Sequence, residues 1–329
     1  MILVTGGAGY VGSHFVRVYL DKDPENRVVV IDNLSRGHRE SLPDSDRMSL
    51  VVCNIADTQA VSSVFQEFPI EAVVHFAARA YVAESQGDPF GYLQNNVAQT
   101  IEFFELMERH AVRKIVFSSS CQVYGEPQYL PVDEKHQLKP TNVYGTTKLV
   151  IEESLKSLTD SLGWSSISLR YFNAAGASED GRYGESHDPE THLIPTFLKV
   201  ASGALAGATI YGSDHPTADG TCIRDYVHVS DLAEAHCQSL SLLRITDVPR
   251  SLACNLGTTN GASILDVLKM CESIAGCIIP VTMAPKRPGD PAAMVANADM
   301  ARQVLNWSTR FDLRQIVETA WQWHKNPRY

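Results

Sequence analysis

No stretch of the chain approaches the roughly 20 consecutive apolar residues that a membrane-spanning helix requires. Nothing at the start has the pattern of a signal peptide, because Met1 leads straight into a strand-like run that ends in glycines. Positive charge is in deficit: 28 Lys and Arg stand against 38 Asp and Glu, a net charge of −10. That balance argues against broad binding to nucleic acid or to an acidic membrane, both of which need a basic field. A small anionic ligand stays open, since a few local arginines can override the global sign. The cysteines (Cys53, Cys121, Cys222, Cys237, Cys254, Cys271 and Cys277) are odd in number, and no two are spaced as CxxC. They fit neither a disulfide framework nor a zinc site, so reduced thiols, a cytoplasmic location and no bound metal are the expectation. Repeats of solenoid length and low-complexity tails are missing as well.

What the chain has in quantity is alternation. Ile2–Thr5, Val28–Asp32, Leu50–Asn54, Ala72–Phe76, Lys114–Ser118 and Ile167–Arg170 read as strands, several apolar on consecutive positions as in parallel strands buried on both faces. Helical patterns lie between them at Val11–Leu20, Thr58–Phe68, Tyr92–His110 and Tyr144–Leu162. Strand alternating with helix predicts an α/β fold with a doubly wound parallel sheet. After Asn173 the rhythm breaks. Residues 174–190 are rich in Gly, Ser, Glu and Asp and read as a loop, and Pro195, Pro216, Pro280, Pro285, Pro288 and Pro291 punctuate the rest. The division expected is a first domain over 1–173 and a smaller lobe over 174–329, some of whose segments return to the main sheet.

The run Thr5-Gly6-Gly7-Ala8-Gly9-Tyr10-Val11-Gly12 follows the first strand and opens a helix. Gly6 permits the sharp turn, Gly9 the approach of backbone amides to a pyrophosphate, and Gly12 close helix–strand packing. The helix start adds free N–H groups and the positive end of its dipole. Asp32 ends the next strand 20 residues beyond Gly12, where a carboxylate accepts from an adenosine ribose and repels a 2′-phosphate. The first domain is therefore expected to be Rossmann-type and to hold NAD rather than NADP, with Arg36 the one dissenting residue. Asn54 and Ile55 fall where an adenine edge would lie, though Asn54 serves equally as a turn residue. Phe76 and Asn95 suit a nicotinamide half, and core packing or capping explains them equally well.

Tyr144 and Lys148 stand four residues apart, on one face of the predicted helix. A free phenol ionises near about 10, too high for a base at neutral pH. The expectation is that Lys148, together with an oxidised nicotinamide, lowers Tyr144 towards the working pH. Ser118, Ser119 and Ser120 end the fifth strand at the carboxyl edge, where such sheets hold ligands.

In order along the chain, TGGAGYVG (5–12), DNLSRG (32–37), HFAA (75–78), SSSCQVYGE (118–126), YGTTK (144–148), RYFNAAG (170–176), DGTCIRDYVHV (219–229), NLGT (255–258) and RPGD (287–290) resemble the extended short-chain dehydrogenase/reductase family. RYFNAAG and DGTCIRDYVHV are the runs most selective for its nucleotide-sugar 4-epimerase branch. The resemblance spans essentially the whole chain. It implies an NAD-dependent isomerase that interconverts UDP-galactose and UDP-glucose through a transient 4-keto sugar, working as a homodimer. The helical stretches at 92–110 and 144–162 are candidates for the dimer face, with solvated surface helices as the alternative. Tyr144 would be the acid/base, Lys148 its modifier and a ribose contact, and Ser120 the partner of the substrate hydroxyl. NAD would touch Tyr10, Val11, Asp32, Asn33, Ser35, Asn54, Ile55, Phe76, Asn95 and Phe172. The UDP-sugar would meet Asn173, Leu193, Tyr211, Arg224, Arg287 and Asp290. Four positions depart from the commonest pattern. Asn54 replaces an Asp, Ala80 a Lys near the cofactor, and His192 an Asn at the diphosphate. Met294 fills a pocket position that leaves N-acetyl tolerance open. Rival readings are a 4-epimerase of UDP-pentoses or N-acetylated UDP-hexoses, a 4,6-dehydratase, and a non-catalytic NAD-binding scaffold. Cys121 and Gln122 stand where a dehydratase would carry acidic residues.

Overall fold

The computed structural model describes residues 1–245, 248–287 and 289–329; Pro288 of the RPGD run lies outside them. Seven strands form the main sheet, all parallel: β1 (Ile2–Thr5), β2 (Val28–Asp32), β3 (Met48–Val52), β4 (Ala72–His75), β5 (Lys114–Ser120), β6 (Ser165–Tyr171) and β10 (Ser251–Leu256), in the order β10-β6-β5-β4-β1-β2-β3. The order reverses between β1 and β4, which places the ligand crevice at the carboxyl ends of those two strands. The pleat separates two cores. On β1, Ile2 and Val4 face one cluster with Phe15 and Val16, and Leu3 faces the other with Val73, Phe103 and Phe117. Burial on both sides explains the unbroken apolar runs in the sequence.

The helices that cross over the sheet are α1 (Tyr10–Lys22), α2 (Thr58–Glu67), the short α3 (Val82–Gly87) and α4 (Pro89–Leu93), α5 (Gln99–Arg109) and α6 (Val143–Leu162). The pattern at 92–110 predicts one helix, but the backbone widens to a π-turn over Gln94–Ala98 before α5 begins. The cause is local. Asn96 Oδ1 accepts from Arg79 N (2.8 Å), and its Nδ2 donates to Arg79 O and to Thr147 Oγ1, so the widened turn seats an amide that clamps the loop after β4. Strand β3 also begins and ends two residues earlier than the pattern at 50–54 predicts. Asn54 instead forms a turn, accepting from Ala56 N through its side chain (2.9 Å).

Beyond 173, β7 (Asn173–Ala175), α7 (Leu193–Ala201), β8 (Ala208–Tyr211), β9 (Ile223–His228), α8 (Val229–Ile245), β11 (Gly261–Ser263), α9 (Ile264–Ala275), β12 (Val281–Ala284), β13 (Ala293–Met294), α10 (Asp299–Leu305) and α11 (Leu313–Lys325) follow. Strand β9 pairs with β7, β11 and β13, and β8 pairs with β12. A third core, with Ile194, Phe197, Val267 and Ile316, unites α7, α9 and α11. Val227 and α8 residues Leu232, Leu240 and Leu243 join the first core, and β10 extends the main sheet beside β6. Among the described residues, no helix is long and apolar enough to cross a membrane.

Candidate active site

The glycine loop leaves β1 at the switch point. Gly6 adopts φ +69°, and a Cβ there would lie 2.6 Å from Ala77 N. A Cβ on Gly12 would overlap the Gly6 carbonyl oxygen. Each fixes a close backbone approach that no other residue permits. Gly9 caps α1 without any side-chain hydrogen bond, so the first amides of that helix stay available to an anion. Asp32 is buried, and its carboxylate accepts from Ala8 N (2.9 Å) and Leu34 N (2.8 Å), tying the glycine loop to the end of β2. Burial pushes that carboxyl up, and the two backbone donors pull it down. Lone pairs remain for ribose hydroxyls. Asn33 and Ser35 are exposed beside it, with Asn33 Oδ1 accepting from Ser35 N. Arg36 is turned to Asp188 O (2.9 Å) and Glu84 (3.5 Å), so its charge is engaged away from a 2′-phosphate. Arg79 is likewise committed, to Glu84 (2.5 Å) and Asp88 (2.7 Å). A dinucleotide without a 2′-phosphate fits this cradle.

Along the crevice, Ile55 and Phe76 follow β3 and β4, Phe172 follows β6, and Asn95 in the π-turn donates to Asn96 Oδ1. The carboxyl end of β5 carries Ser120, whose Oγ accepts from Gln122 N and turns the chain. Asn142 caps α6 by accepting from Gly145 N (2.8 Å) and donates to Gln122 Oε1 (2.8 Å). That cap sets the start of α6 against the serine-tipped strand. Tyr144 is then half-buried, with Ser120 close enough to its phenol to favour ionisation. Lys148, one turn on and 3% exposed, donates to Ser118 O (2.7 Å) and sits 5.7 Å from the Tyr144 ring centre.

The electrostatics of the chain by itself are set by burial. Burial pushes the Tyr144 phenol above its ordinary range, and Ser120 offsets only part of this. Burial also lowers Lys148 from 10.5 to about 7, against the opposing pull of Glu152. The ammonium contacts a strand carbonyl rather than the phenolic oxygen. In the chain by itself burial thus works against the charged form of both groups, and a further positive charge nearby would favour the phenolate.

Two residues that spacing did not single out brace this pair. Glu152, one turn beyond Lys148, accepts from Ser119 Oγ and pairs with Arg170 (2.5 Å), both partners at most 7% exposed. Arg170 also donates to Tyr124 Oη (2.9 Å), which donates to Asn255 Oδ1 (2.7 Å). The period of four from Tyr144 through Lys148 to Glu152 was the available signal.

The other wall comes from the second half. Arg224 on β9 donates to Ile223 O and Pro291 O and lies 3.5 Å from Asp290; Met294, buried on β13, is its register partner. Arg287 stacks over the Tyr211 ring at 3.9 Å. A guanidinium thus covers one face of Tyr211, a residue that is 39% exposed. Asn173 Nδ2 donates to Asp225 O. His192 and Leu193 open α7, which lacks a side-chain cap just as α1 does. Arg224 also acts electrostatically on Cys121, next to Ser120. His192 itself contacts the Glu185 carboxylate, and although burial pulls its imidazole down, that carboxylate raises it to about 9.

Residues 2–257 match the NAD dependent epimerase/dehydratase family. The chain belongs to that family. It is 44% identical over 326 residues to a UDP-glucose 4-epimerase of Lacticaseibacillus casei, covering 99% of this chain and 97% of that protein. Among solved structures it is similar to UDP-glucose 4-epimerase from Brucella ovis in complex with NAD (40% identity, TM-score 0.93, 98% of each chain). It is also similar to UDP-glucose 4-epimerase from Bifidobacterium longum in complex with NAD+ and UDP (36% identity, TM-score 0.93, 99% of this chain and 98% of that one).

Proposed function

We propose that this chain is a 4-epimerase that interconverts UDP-galactose and UDP-glucose, with NAD held mainly by residues of 1–173 and the UDP-sugar mainly by residues of 174–329. The observation that carries this reading is the convergence of Ser120, Tyr144 and Lys148 at the carboxyl edge of β5, beside a switch-point cradle for a dinucleotide. The names of the relatives support the choice of sugar.

Gly6, Gly9, Tyr10, Val11 and Gly12 would receive the pyrophosphate, and Asp32, Asn33, Ser35, Asn54 and Ile55 the adenosine. Phe76, Asn95, Lys148 and Phe172 would line the nicotinamide end. Bound NAD supplies an acceptor, and then a donor, for the hydride at the sugar C4. Tyr144 takes the proton of the 4-hydroxyl, with Ser120 orienting that hydroxyl, and returns it after the 4-keto ring has presented its other face. Arg224 and Arg287 offer planar donors to a diphosphate. With Asn173, His192, Leu193, Tyr211, Asp290 and Met294 they would anchor the nucleotide while the hexose turns. Dehydration would need acid/base groups after Ser120. Burial raises the Cys121 thiol to about 12, and Gln122 is engaged with Asn142.

The reading extends to a cytoplasmic homodimer. Ile101 and Phe104 on α5, with Leu149, Val150, Leu158 and Leu162 on α6, line one open apolar groove, and Ile101, Val150 and Leu162 are each about two-fifths exposed. A second copy of the same helix pair would cover it. Incubating purified protein with UDP-galactose and NAD, and following C4 configuration by proton NMR, tests the reaction. UDP-glucose should accumulate to equilibrium. No inversion of either hexose, alongside turnover of a UDP-pentose or an N-acetylated sugar, would reassign the substrate.

A further inference from the structure

The loop that precedes α7 gathers a second set of reactive side chains. Glu185, His187, Glu190 and His192 each bring one donor atom within 4.8 Å of the others. Both carboxylate side chains are 3% exposed, and His187 is 15% exposed. His187 Nδ1 lies 3.1 Å from Glu185 Oε1, and Glu190 Oε1 lies 3.9 Å from Nδ1 of both histidines. His192 Nδ1 contacts Glu185 directly. Two carboxylates withdrawn from water at this separation repel one another and are costly without strong compensation. Lys199 Nζ stands 3.9 Å from Glu190 Oε2, beyond hydrogen-bonding reach.

A further observation concerns hydrogen bonds that are not made, despite charged neighbours at 3.1 and 3.9 Å. His187 Nδ1 and Glu190 Oε2 are buried and make no hydrogen bond among the described residues. The other oxygen of Glu190 accepts from Thr191 N and His192 N, both at 2.9 Å. The backbone thus holds Oε1, the oxygen 3.9 Å from both histidines, in place with a lone pair to spare, while Oε2 lies on the Lys199 side. The segment is held from three sides through its main chain: Glu185 O accepts from Trp323 Nε1 (2.8 Å), His38 Nε2 lies 3.2 Å from Ser186 O, and Asp188 O accepts from Arg36.

We propose that Glu185, His187, Glu190 and His192 form a binding site for a divalent cation of the zinc type. Two imidazoles and two carboxylates are a donor set suited to that ion, and the carboxylates balance its charge. Four donors about 2.05 Å from a tetrahedral centre stand about 3.3 Å apart, so the 3.1 and 3.9 Å separations here need only small side-chain movements. The cation would pin the loop between the nucleotide-side turn of Arg36 and His38 and helix α11. The cysteines gave no sign of a metal, and this cluster shares none of them.

The test uses full-length, untagged protein treated with chelator and titrated with Zn²⁺ by calorimetry and with Co²⁺ by visible absorption. One saturable equivalent should bind, with the d–d spectrum of a nitrogen- and oxygen-ligated tetrahedral ion. His187→Ala and Glu190→Gln should each weaken Zn²⁺ by at least about 100-fold, since even outer-shell partners cost roughly 10- to 100-fold. Lys199→Met, which removes the neighbouring ammonium, should bind at least as tightly as wild type. Absence of saturable binding by wild type, thiolate-to-cobalt charge transfer, or unchanged affinity in both ligand variants would each overturn the proposal. None of these readouts depends on the sugar-nucleotide reaction.

Discussion

Replacing Lys148 by Met should change how the stability of the protein depends on pH. Lys148 is 3% exposed, and burial lowers it from 10.5 to about 7. At about 1.4 kcal/mol per tenfold change in proton affinity, its ammonium is about 5 kcal/mol less favourable in the folded than in the unfolded chain. The sign follows from proton counting. Between pH 7 and 10.5 the unfolded chain binds more protons at this residue than the folded one, so its contribution to stability rises with pH. Below pH 7 both states are protonated and the destabilisation is at its full value. From pH 7 to pH 9 the contribution should recover by about 2 kcal/mol. Urea unfolding of wild type and Lys148→Met, measured at each pH under the same buffer and cofactor conditions, isolates the term because the other groups cancel in the difference. Lys148→Met should be the more stable protein at pH 7, with the gap narrowing steadily towards pH 9. A gap independent of pH would refute the claim that burial dominates at this lysine.

Gly12→Ala places a Cβ against the Gly6 carbonyl. It should cost about 1–3 kcal/mol of stability and release NAD more readily, read by urea unfolding and by the cofactor retained after gel filtration. Glu152→Gln breaks the buried pair with Arg170 and frees the end of β5. A loss of about 3–5 kcal/mol is expected, with a lower kcat in a protein that still binds UDP. Val150→Asp sets a charge in the groove between α5 and α6, and light scattering should then report a monomer in place of the proposed dimer.

The strands at 2–5 and 28–32 were readable to the residue because their apolar runs are bounded by a glycine loop and by Asp32. Strand β3 was displaced because it is an edge strand, half-exposed throughout, whose opening Met48-Ser49 lacks an unbroken apolar signal. The π-turn at 94–98 left no periodic trace, because its cause is Asn96 reaching a loop 17 residues back and Thr147 beyond. In the candidate site, local spacing revealed the members of one turn or one helix face: the glycine loop, and Tyr144 with Lys148. Spacing was silent where partners come from far along the chain, as with Arg287 on Tyr211, Glu152 with Arg170, and Arg36 drawn to Asp188. The burial that opposes ionisation of Tyr144 in the chain by itself was illegible for a related reason. Residue types announce a cation four positions away, but not that burial acts on both groups and that the ammonium rests on Ser118 O.

Phenolate absorbance gives the most direct test of the central claim, that Tyr144 works as a base only beside an oxidised, positively charged nicotinamide. Difference spectra between wild type and Tyr144→Phe would be followed across pH, with NAD bound and with its reduced form bound. The account predicts an ionisation close to working pH, about 7, in the oxidised complex, and none below about pH 10 in the reduced one. A Tyr144 that stays protonated to high pH with NAD bound would contradict it, and so would one that ionises equally in both complexes.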